Sequence, residues 1–400
     1  MLDSSSTFAA AQDLMRQRGI DGWLVHDFRG SNPTLRALLG GIGQTTRRVT
    51  MLVPAAGPAR LLCHELDHLA LAAAGQRGVR VDRHVSWPER DAWLDRELRG
   101  MKRVAMEYSP ACELPVVGIV DAGTVEAVRS RGVEVVSSAD LVQATVAVWS
   151  AAAVEEHARA SRLVGATRDA MFEMVRQRLR AGQRVLEHEA ADFVRSRFAA
   201  DGLEWPDGPI VAVDAHTADP HYEPGADNPT PIVAGSWVML DLWARVPGES
   251  NIFSDITWMA FAGARPSDEH MAVFESVKRA RDAALRTAKD GWSAGREVEG
   301  WQLDRAAREE IDRAGFGAHV LHRTGHSLSP GPKVHGLGMN LDDLETHDTR
   351  RMLPGLGYTI EPGVYIKGRF GCRSEINVYI DPAKGPVVTC DVQSDLVRLT

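Results

Sequence analysis

Four carboxylates recur in this sequence at a spacing that invites cations. Asp241 and Asp255 lie on two strand-like arms, WVMLDLWARV and NIFSDITWMAF, separated by the turn signal Pro247-Gly248-Glu249. A hairpin centred on Gly248 sets Asp241 opposite Asp255, flanked by Met239, Trp243, Phe253 and Thr257. Downstream, YTIEPGVYIKGRFGCRSEINVYI has strand-like arms around Gly368, and a hairpin there sets Glu361 opposite Glu375. Both acidic pairs are 14 residues apart and centred on a glycine. Like charges directly opposite on a sheet repel, and an unpartnered buried carboxylate either costs several kcal/mol or neutralises. Solvent-facing acids are common on amphipathic strands. Two symmetric pairs on arms otherwise made of Leu, Ile, Val and Trp instead ask for cations between them.

Imidazoles stand between the two hairpins. VLHRTGHSLSPGPKVHG carries His322, His326 and His335, and His221 follows a proline 20 residues before Asp241. Four carboxylates and one imidazole nearly cancel the charge of two divalent ions. Oxygen-rich ligation with one His suits Mn²⁺, Co²⁺ or Zn²⁺ rather than a structural zinc site. Two ions roughly 3.5–4 Å apart clamp the oxygens of a tetrahedral intermediate, which is hydrolytic chemistry.

With these residues in hand the sequence resembles the metallopeptidases of the creatinase, prolidase, aminopeptidase P and methionine aminopeptidase group, which share the pita-bread fold. The matching stretches are PHY (220–222), LD (240–241), SDIT (254–257), HRTGH (322–326), VH (334–335), TIEPGVY (359–365) and RSE (373–375), in the family's order. The resemblance implies that Asp241, Asp255, His326, Glu361 and Glu375 hold two divalent ions per chain, Mn²⁺ first, with Zn²⁺ or Co²⁺ as alternatives. It implies that Glu361 is also the general base. It further implies that His221 and His335 line the substrate site and stabilise the intermediate, that His322 lies near the substrate, and that Tyr365 and Arg373 orient the ligands from behind. The layout is closest to the prolidase branch, so the expected activity is that of a Xaa-Pro dipeptidase. The alternatives are an aminopeptidase P acting on longer peptides, a metal-free creatinase-type hydrolase, and a non-enzymatic binding protein on the same fold. The last two are disfavoured because all five ligand positions are filled.

The sequence also departs from the family pattern. The two Asp are farther apart than usual, which implies a longer turn around Arg245 to Asn251, and Trp258 follows SDIT where Arg is common. Prolidases often carry an acid and then an arginine after VH, and that arginine helps hold the substrate carboxylate. Here Gly336 and Leu337 follow, and the next arginines are Arg350 and Arg351. Another cation must then meet a dipeptide's carboxylate. Arg29, with Asn32, in the polar loop DFRGSNP (27–33) is the expected source, reaching across the interface of a homodimer.

A rival motif is HELDH at 64–68, which fits the zincin pattern HExxH. It starts at a strand-to-helix junction, carries Asp67 before its second His, and lacks an obvious acidic third ligand. It reads better as an exposed helix start, with Glu65 and Asp67 favoured by the helix dipole. GGIGQ at 40–44 lacks the full dinucleotide-binding pattern.

These residues must be positioned by two different halves. Residues 1–150 alternate helix-like segments with strand-like ones near 21–27, 47–64, 79–86, 103–108 and 133–137, and HELDHLALAAAG (64–75) reads as a helix ended by Gly75. This is an α/β domain. From Ser150, a fair N-cap, a long helix is expected to run to a stop at Gly182, with Leu163, Ala166, Ala170, Met171 and Met174 on its packed face. Helices are also expected at about 184–200, 267–289 and 298–314. The expected second domain, 151–400, is an α+β pita-bread catalytic domain with a curved antiparallel sheet and outer helices.

Bulk properties agree. The 400 residues exceed one ordinary core. A formal net charge of −8, with 25% charged and 44% hydrophobic residues, argues against nucleic acid as the main partner. No apolar stretch approaches the roughly 20 residues of a membrane span. The start Met1-Leu2-Asp3-Ser4-Ser5-Ser6 lacks the basic region of a secretory signal. Cys63, Cys112, Cys372 and Cys390 are scattered without paired spacing, as in a reducing compartment. The expected setting is the cytoplasm, and the expected partner is a proline-containing dipeptide or short peptide.

Overall fold

The structure, a computed structural model, describes residues 4–227 and 229–400. The opening Met1-Leu2-Asp3 lie outside them. The chain divides into two compact units, the first ending at Val148 and the second running from Trp149 to Thr400.

The described residues of the first unit form six strands: β1 (Gly22–Phe28), β2 (Arg48–Pro54), β3 (Arg60–His64), β4 (Arg80–His84), β5 (Arg103–Met106) and β6 (Glu134–Ser137). Their order in the sheet is β4-β3-β2-β1-β5-β6. Only β2 runs antiparallel to its neighbours. Strands buried on both faces read as near-continuous apolar runs, as in Trp23, Leu24 and Val25 or Met51, Leu52 and Val53. After β1 the chain makes a tight polar turn. The Asp27 carboxylate accepts the Gly30 and Asn32 amides, and Asn32 caps the helix Pro33–Leu38 through the Thr34 amide.

The segment after β3 differs from its sequence reading. Glu65–Leu71 is a 3-10 helix, and a short α-helix, Ala72–Gln76, runs through Gly75. The His64 ring caps this segment by accepting the Leu66 amide. Asp67 is spent on the Thr46 and Arg47 amides and the Thr46 hydroxyl. HExxH needs two His one α-turn apart, and a 3-10 helix of three residues per turn does not set them on one face. Among the described residues His64 and His68 join no metal-holding group.

The second unit opens with the helix Ala151–Arg180. Ser150 caps it by accepting the Ala153 amide, and Gly182 follows it with φ +72°. The buried stripe is rotated from the expected one. Ala153, His157, Ala160, Val164, Met171 and Val175 face inward, while Ala166 is exposed. The bulk of Val164, Phe172 and Val175 sets the rotation, helped by Arg168, which lies over the Trp258 ring at 3.8 Å. The other helices are Glu187–Ala200, Asp268–Ser293 and Gly300–Arg313. No helix among the described residues is long and apolar enough to cross a membrane.

Among the described residues twelve strands complete this unit: β7 (Val185–Leu186), β8 (Ile210–Val213), β9 (Pro231–Ile232), β10 (Trp237–Ala244), β11 (Ser254–Phe261), β12 (Ser327–Leu328), β13 (Gly357–Ile360), β14 (Gly363–Ile366), β15 (Phe370–Arg373), β16 (Ile376–Asp381), β17 (Gly385–Val388) and β18 (Val397–Arg398). They form four hydrogen-bonded groups, β18-β11-β10-β8, β12-β13-β16-β17, β14-β15 and β7-β9. Period-two alternation sorts the faces of β10. Val238, Leu240 and Leu242 pack with Val164, Met171 and Val194 of the helices. Trp237 and Met239 face the opposite cluster, with Tyr358, Ile360 and Ile376. Asp241 projects from that second face.

Candidate metal centre

The two acidic hairpins meet on that face. In the first, Asp241 pairs with Thr257 and Trp243 with Asp255. The register is thus two residues from the expected one, so Asp241 and Asp255 are diagonal neighbours rather than opposites. The cause is the loop after Ala244. Arg245 folds inward and donates to the Asn251 and Gly331 carbonyls, and the hairpin centre moves off Gly248. A shift of two keeps both carboxylates on one face.

In the second hairpin, Gly363 pairs with Arg373 and Ile360 with Ile376. Glu361 and Glu375 therefore stand opposite each other, as the centring on Gly368 predicts. Both arms break at these residues. Pro362 has no N–H to continue the ladder. The Glu361 amide turns to the Thr324 carbonyl at 2.7 Å, and the Glu375 amide to the Thr257 carbonyl at 3.2 Å. That last bond ties the second hairpin to the first and brings four carboxylates together.

His326 enters from beside β12. Its Nδ1 lies 3.1 Å from the Ser327 carbonyl, which only an N–H can satisfy, so Nδ1 carries a proton and Nε2 is the nitrogen left to face the acids. Nε2 lies 3.4 Å from Asp255 Oδ2 and 3.4 Å from Glu361 Oε1. Ligand atoms of Asp255, His326 and Glu375 all lie within 4.8 Å of one another. Asp241, Asp255, His326 and Glu375 are 6%, 5%, 2% and 2% exposed, whereas the Glu361 side chain is 15% exposed. Glu361 is the carboxylate of the five most open to solvent.

Burial pushes Asp255 and Glu375 above the ordinary carboxylate range, Glu375 far above it. It raises Asp241 to about 7 against the pull of Arg373. Glu361 is also raised by burial, but the charges of His326, His322 and Arg373 outweigh that and hold it below its ordinary value. Glu375 Oε1 is buried with no hydrogen-bond partner. Carboxylates driven toward neutrality, an orphaned acceptor and an imidazole nitrogen aimed between them form the donor set that divalent cations suit. The residues fit the ions that the sequence implied.

The supporting shell was only partly visible in the sequence. Arg373 pairs with Asp241 and donates through Nε to the Thr257 hydroxyl at 3.0 Å. The Thr257 hydroxyl lies 3.0 Å from Asp241 and 2.8 Å from Glu375. Thr257 had no assigned role, although it sits two residues after Asp255 on the same strand face. Asn377 brackets the Asp255 backbone, accepting its amide and donating to its carbonyl. Arg373 also approaches the Tyr365 hydroxyl, 3.4 Å away. That hydroxyl lies 2.7 Å from His322 Nε2. His322 Nδ1 faces the Arg323 carbonyl at 2.7 Å, so Nε2 is the acceptor and Tyr365 donates to it.

The His335 ring stacks on His326 with centroids 3.9 Å apart, and the His326 charge holds its imidazole far below its ordinary range. Both His335 and His221 are exposed. The His335 loop is pinned from below. Arg350, buried against Asp348, donates to the Leu337 carbonyl at 2.9 Å. Arg351 pairs with Glu297. Neither arginine replaces the missing one after His335. Arg29 belongs to the first unit, exposed, with φ +63° and its guanidinium 5.5 Å from the Phe28 ring centre. Asn32 is not available as a substrate donor. It is buried, and its amide group is spent on the His26 carbonyl, Glu107 and the Thr34 amide.

Gly325 is required for close approach. A Cβ there meets the Thr359 carbonyl oxygen at 2.1 Å. Gly325→Ala should push His326 off β13, destabilise the unit by about 1–3 kcal/mol and reduce the ions retained after dialysis. Elemental analysis beside a thermal melt checks this. Unchanged ion content and an unchanged melting point contradict it.

Comparison with known proteins gives the same direction. The profile of metallopeptidase family M24 matches residues 155–382. The probable dipeptidase PepE of Mycobacterium tuberculosis is 26% identical over 345 residues, 84% of this chain and 82% of that protein. A Xaa-Pro dipeptidase of Pyrococcus furiosus is 30% identical over 195 residues, 48% of this chain and 51% of that protein. The crystal structure of dipeptidase PepE from Mycobacterium ulcerans superposes with a TM-score of 0.74 at 24% identity, over 99% of this chain and 98% of that one. That likeness shows the pita-bread fold implied by the sequence resemblance.

Proposed function

The chain belongs to metallopeptidase family M24, and from that premise we propose that it is a Xaa-Pro dipeptidase, hydrolysing the bond before a C-terminal proline. The observation that carries the reading is the buried set of four carboxylates and one imidazole, with Glu361 the carboxylate most open to solvent. The named dipeptidases among the relatives support the substrate class. Asp241, Asp255, His326, Glu361 and Glu375 would hold two divalent ions, Mn²⁺ first, with Zn²⁺ or Co²⁺ as alternatives. When bound, such ions supply Lewis-acid polarisation and acidify the attacking water.

The chain's own groups do the rest. Glu361 takes the proton of the attacking water and returns it to the proline nitrogen, which leaves as a secondary amine. His221 and His335 donate to the oxyanion that develops on the scissile carbonyl. Arg373 offsets the charge of Asp241 and, through Tyr365, sets the orientation of His322 beside the substrate. Arg29, offered by a second copy of the chain in a cytoplasmic homodimer, meets the free carboxylate. One observation favours a second reading, an aminopeptidase P. The loop after His335 carries no arginine, and Arg350 is committed to Asp348.

Digesting Ala-Pro and Ala-Pro-Ala side by side with Mn²⁺ separates the two. The dipeptidase cleaves Ala-Pro faster, and Arg29→Ala raises KM for Ala-Pro by roughly tenfold with less effect on Ala-Pro-Ala. Preference for the tripeptide, with Arg29→Ala kinetics unchanged, makes the chain an aminopeptidase.

A further inference from the structure

We infer that Glu187 is a positioning residue for the reaction proposed above, fixing the segment that carries His221. The inference rests on the oxyanion role given to His221. Glu187 opens the helix Glu187–Ala200 and is fully buried. A carboxylate there is favoured by the helix dipole, but burying it without donors costs several kcal/mol. Its donors all come from one stretch of chain. Oε1 accepts the Val213 amide at 2.7 Å and His216 Nδ1 at 3.0 Å. Oε2 accepts the Tyr222 hydroxyl at 2.7 Å and the Thr230 amide at 2.9 Å.

Val213 ends β8, and Thr230 immediately precedes β9. Between them, the described residues of 214–230 hold only one short 3-10 turn, Asp214–Ala218. Such a segment has few ladder bonds of its own and drifts unless side chains tie it down. Glu187 ties it at both ends and in the middle. Tyr222 also stacks on His216, with centroids 4.3 Å apart and planes 25° apart. Tyr222 is the immediate neighbour of His221, so the bond from its hydroxyl to Glu187 limits where the His221 imidazole points. An oxyanion donor must sit within a few tenths of an ångström of its target, so this restraint acts on turnover.

Two variants test the inference. Glu187→Gln sets an amide NH₂ against backbone N–H groups that cannot accept from it. Tyr222→Phe removes one bond and leaves the carboxylate's other three. Hydrogen exchange read by mass spectrometry should show amides of 214–230 exchanging at least about fivefold faster in Tyr222→Phe, and faster still in Glu187→Gln. Peptides from β10, β11 and β13 and the bound-ion content should stay as in the parent. If Glu187→Gln fails to fold, Tyr222→Phe carries the test alone. Tyr222→Phe should also lower kcat for Ala-Pro about fivefold in the parent but hardly at all in a His221→Ala background, because the restraint then has nothing to position. The same fold-loss in both backgrounds, or unchanged exchange across 214–230, overturns the inference and leaves the peptidase reading standing. A His221→Ala variant with full turnover overturns both the role of His221 and the inference. If the parent cleaves neither Ala-Pro nor Ala-Pro-Ala, the reaction proposed above falls, and the exchange result alone decides the role of Glu187.

Discussion

Exhaustive chelation should lower peptide hydrolysis by at least about 10³-fold, with activity returning on addition of Mn²⁺. The expectation follows from a charge imbalance. Four carboxylates share one buried space with a single guanidinium, that of Arg373. Glu375 has a buried oxygen with no hydrogen-bond partner, and His326 directs Nε2 at two of the acids. Hydrogen bonds within the protein do not resolve this, because Thr257 offers one proton to two carboxylates. Elemental analysis after mild dialysis should find up to two divalent ions per chain. Full turnover after chelation would end the metal reading.

Ligand replacement should separate two groups of histidine and acid variants by effect. His326→Ala and Glu375→Ala should lose ion affinity by more than the roughly 10–100-fold that outer partners contribute, and turnover should fall with it. His221→Ala and His335→Ala should keep their ions and lose roughly 10²–10³-fold in kcat, the scale of one oxyanion donor. The distinction rests on placement. His326 is almost fully buried with its Nδ1 held by the Ser327 carbonyl, whereas His221 and His335 are exposed. Titrating each purified variant with Mn²⁺ and measuring turnover at saturation gives both quantities. Loss of ions from His221→Ala as readily as from His326→Ala would show that the two groups had been drawn wrongly.

The acidic hairpins were readable because they violate strand chemistry. A carboxylate between Leu240 and Leu242, or between Ile360 and Pro362, conflicts with its surroundings unless something compensates. The second register was readable because three residues, Lys367 to Arg369, close that turn tightly, with the Arg369 amide on the Ile366 carbonyl. The first was not, because a nine-residue loop is held by tertiary bonds of Arg245 that no local pattern announces. The reading of 64–75 failed for a related reason. A run of Leu and Ala favours helix, but the pull of Asp67 toward Thr46 and Arg47, some 20 residues earlier, winds it tighter. Glu187 and Arg350 were illegible as supports. Their partners are dispersed in sequence, and each, read alone, is an ordinary charged residue.

The breaks at Glu361 and Glu375 also have a consequence in time. The five proposed ligand positions span 135 residues, from Asp241 to Glu375, and the bond between the Glu375 amide and the Thr257 carbonyl joins their two halves. Gln393 then clasps β11 two residues farther along, holding both the amide and the carbonyl of Met259. During synthesis, at about 5–20 residues per second, a nascent chain that has reached Asp255 owns half the acids and no peptidase. The proposed centre can assemble only after Glu375 has emerged from the ribosome.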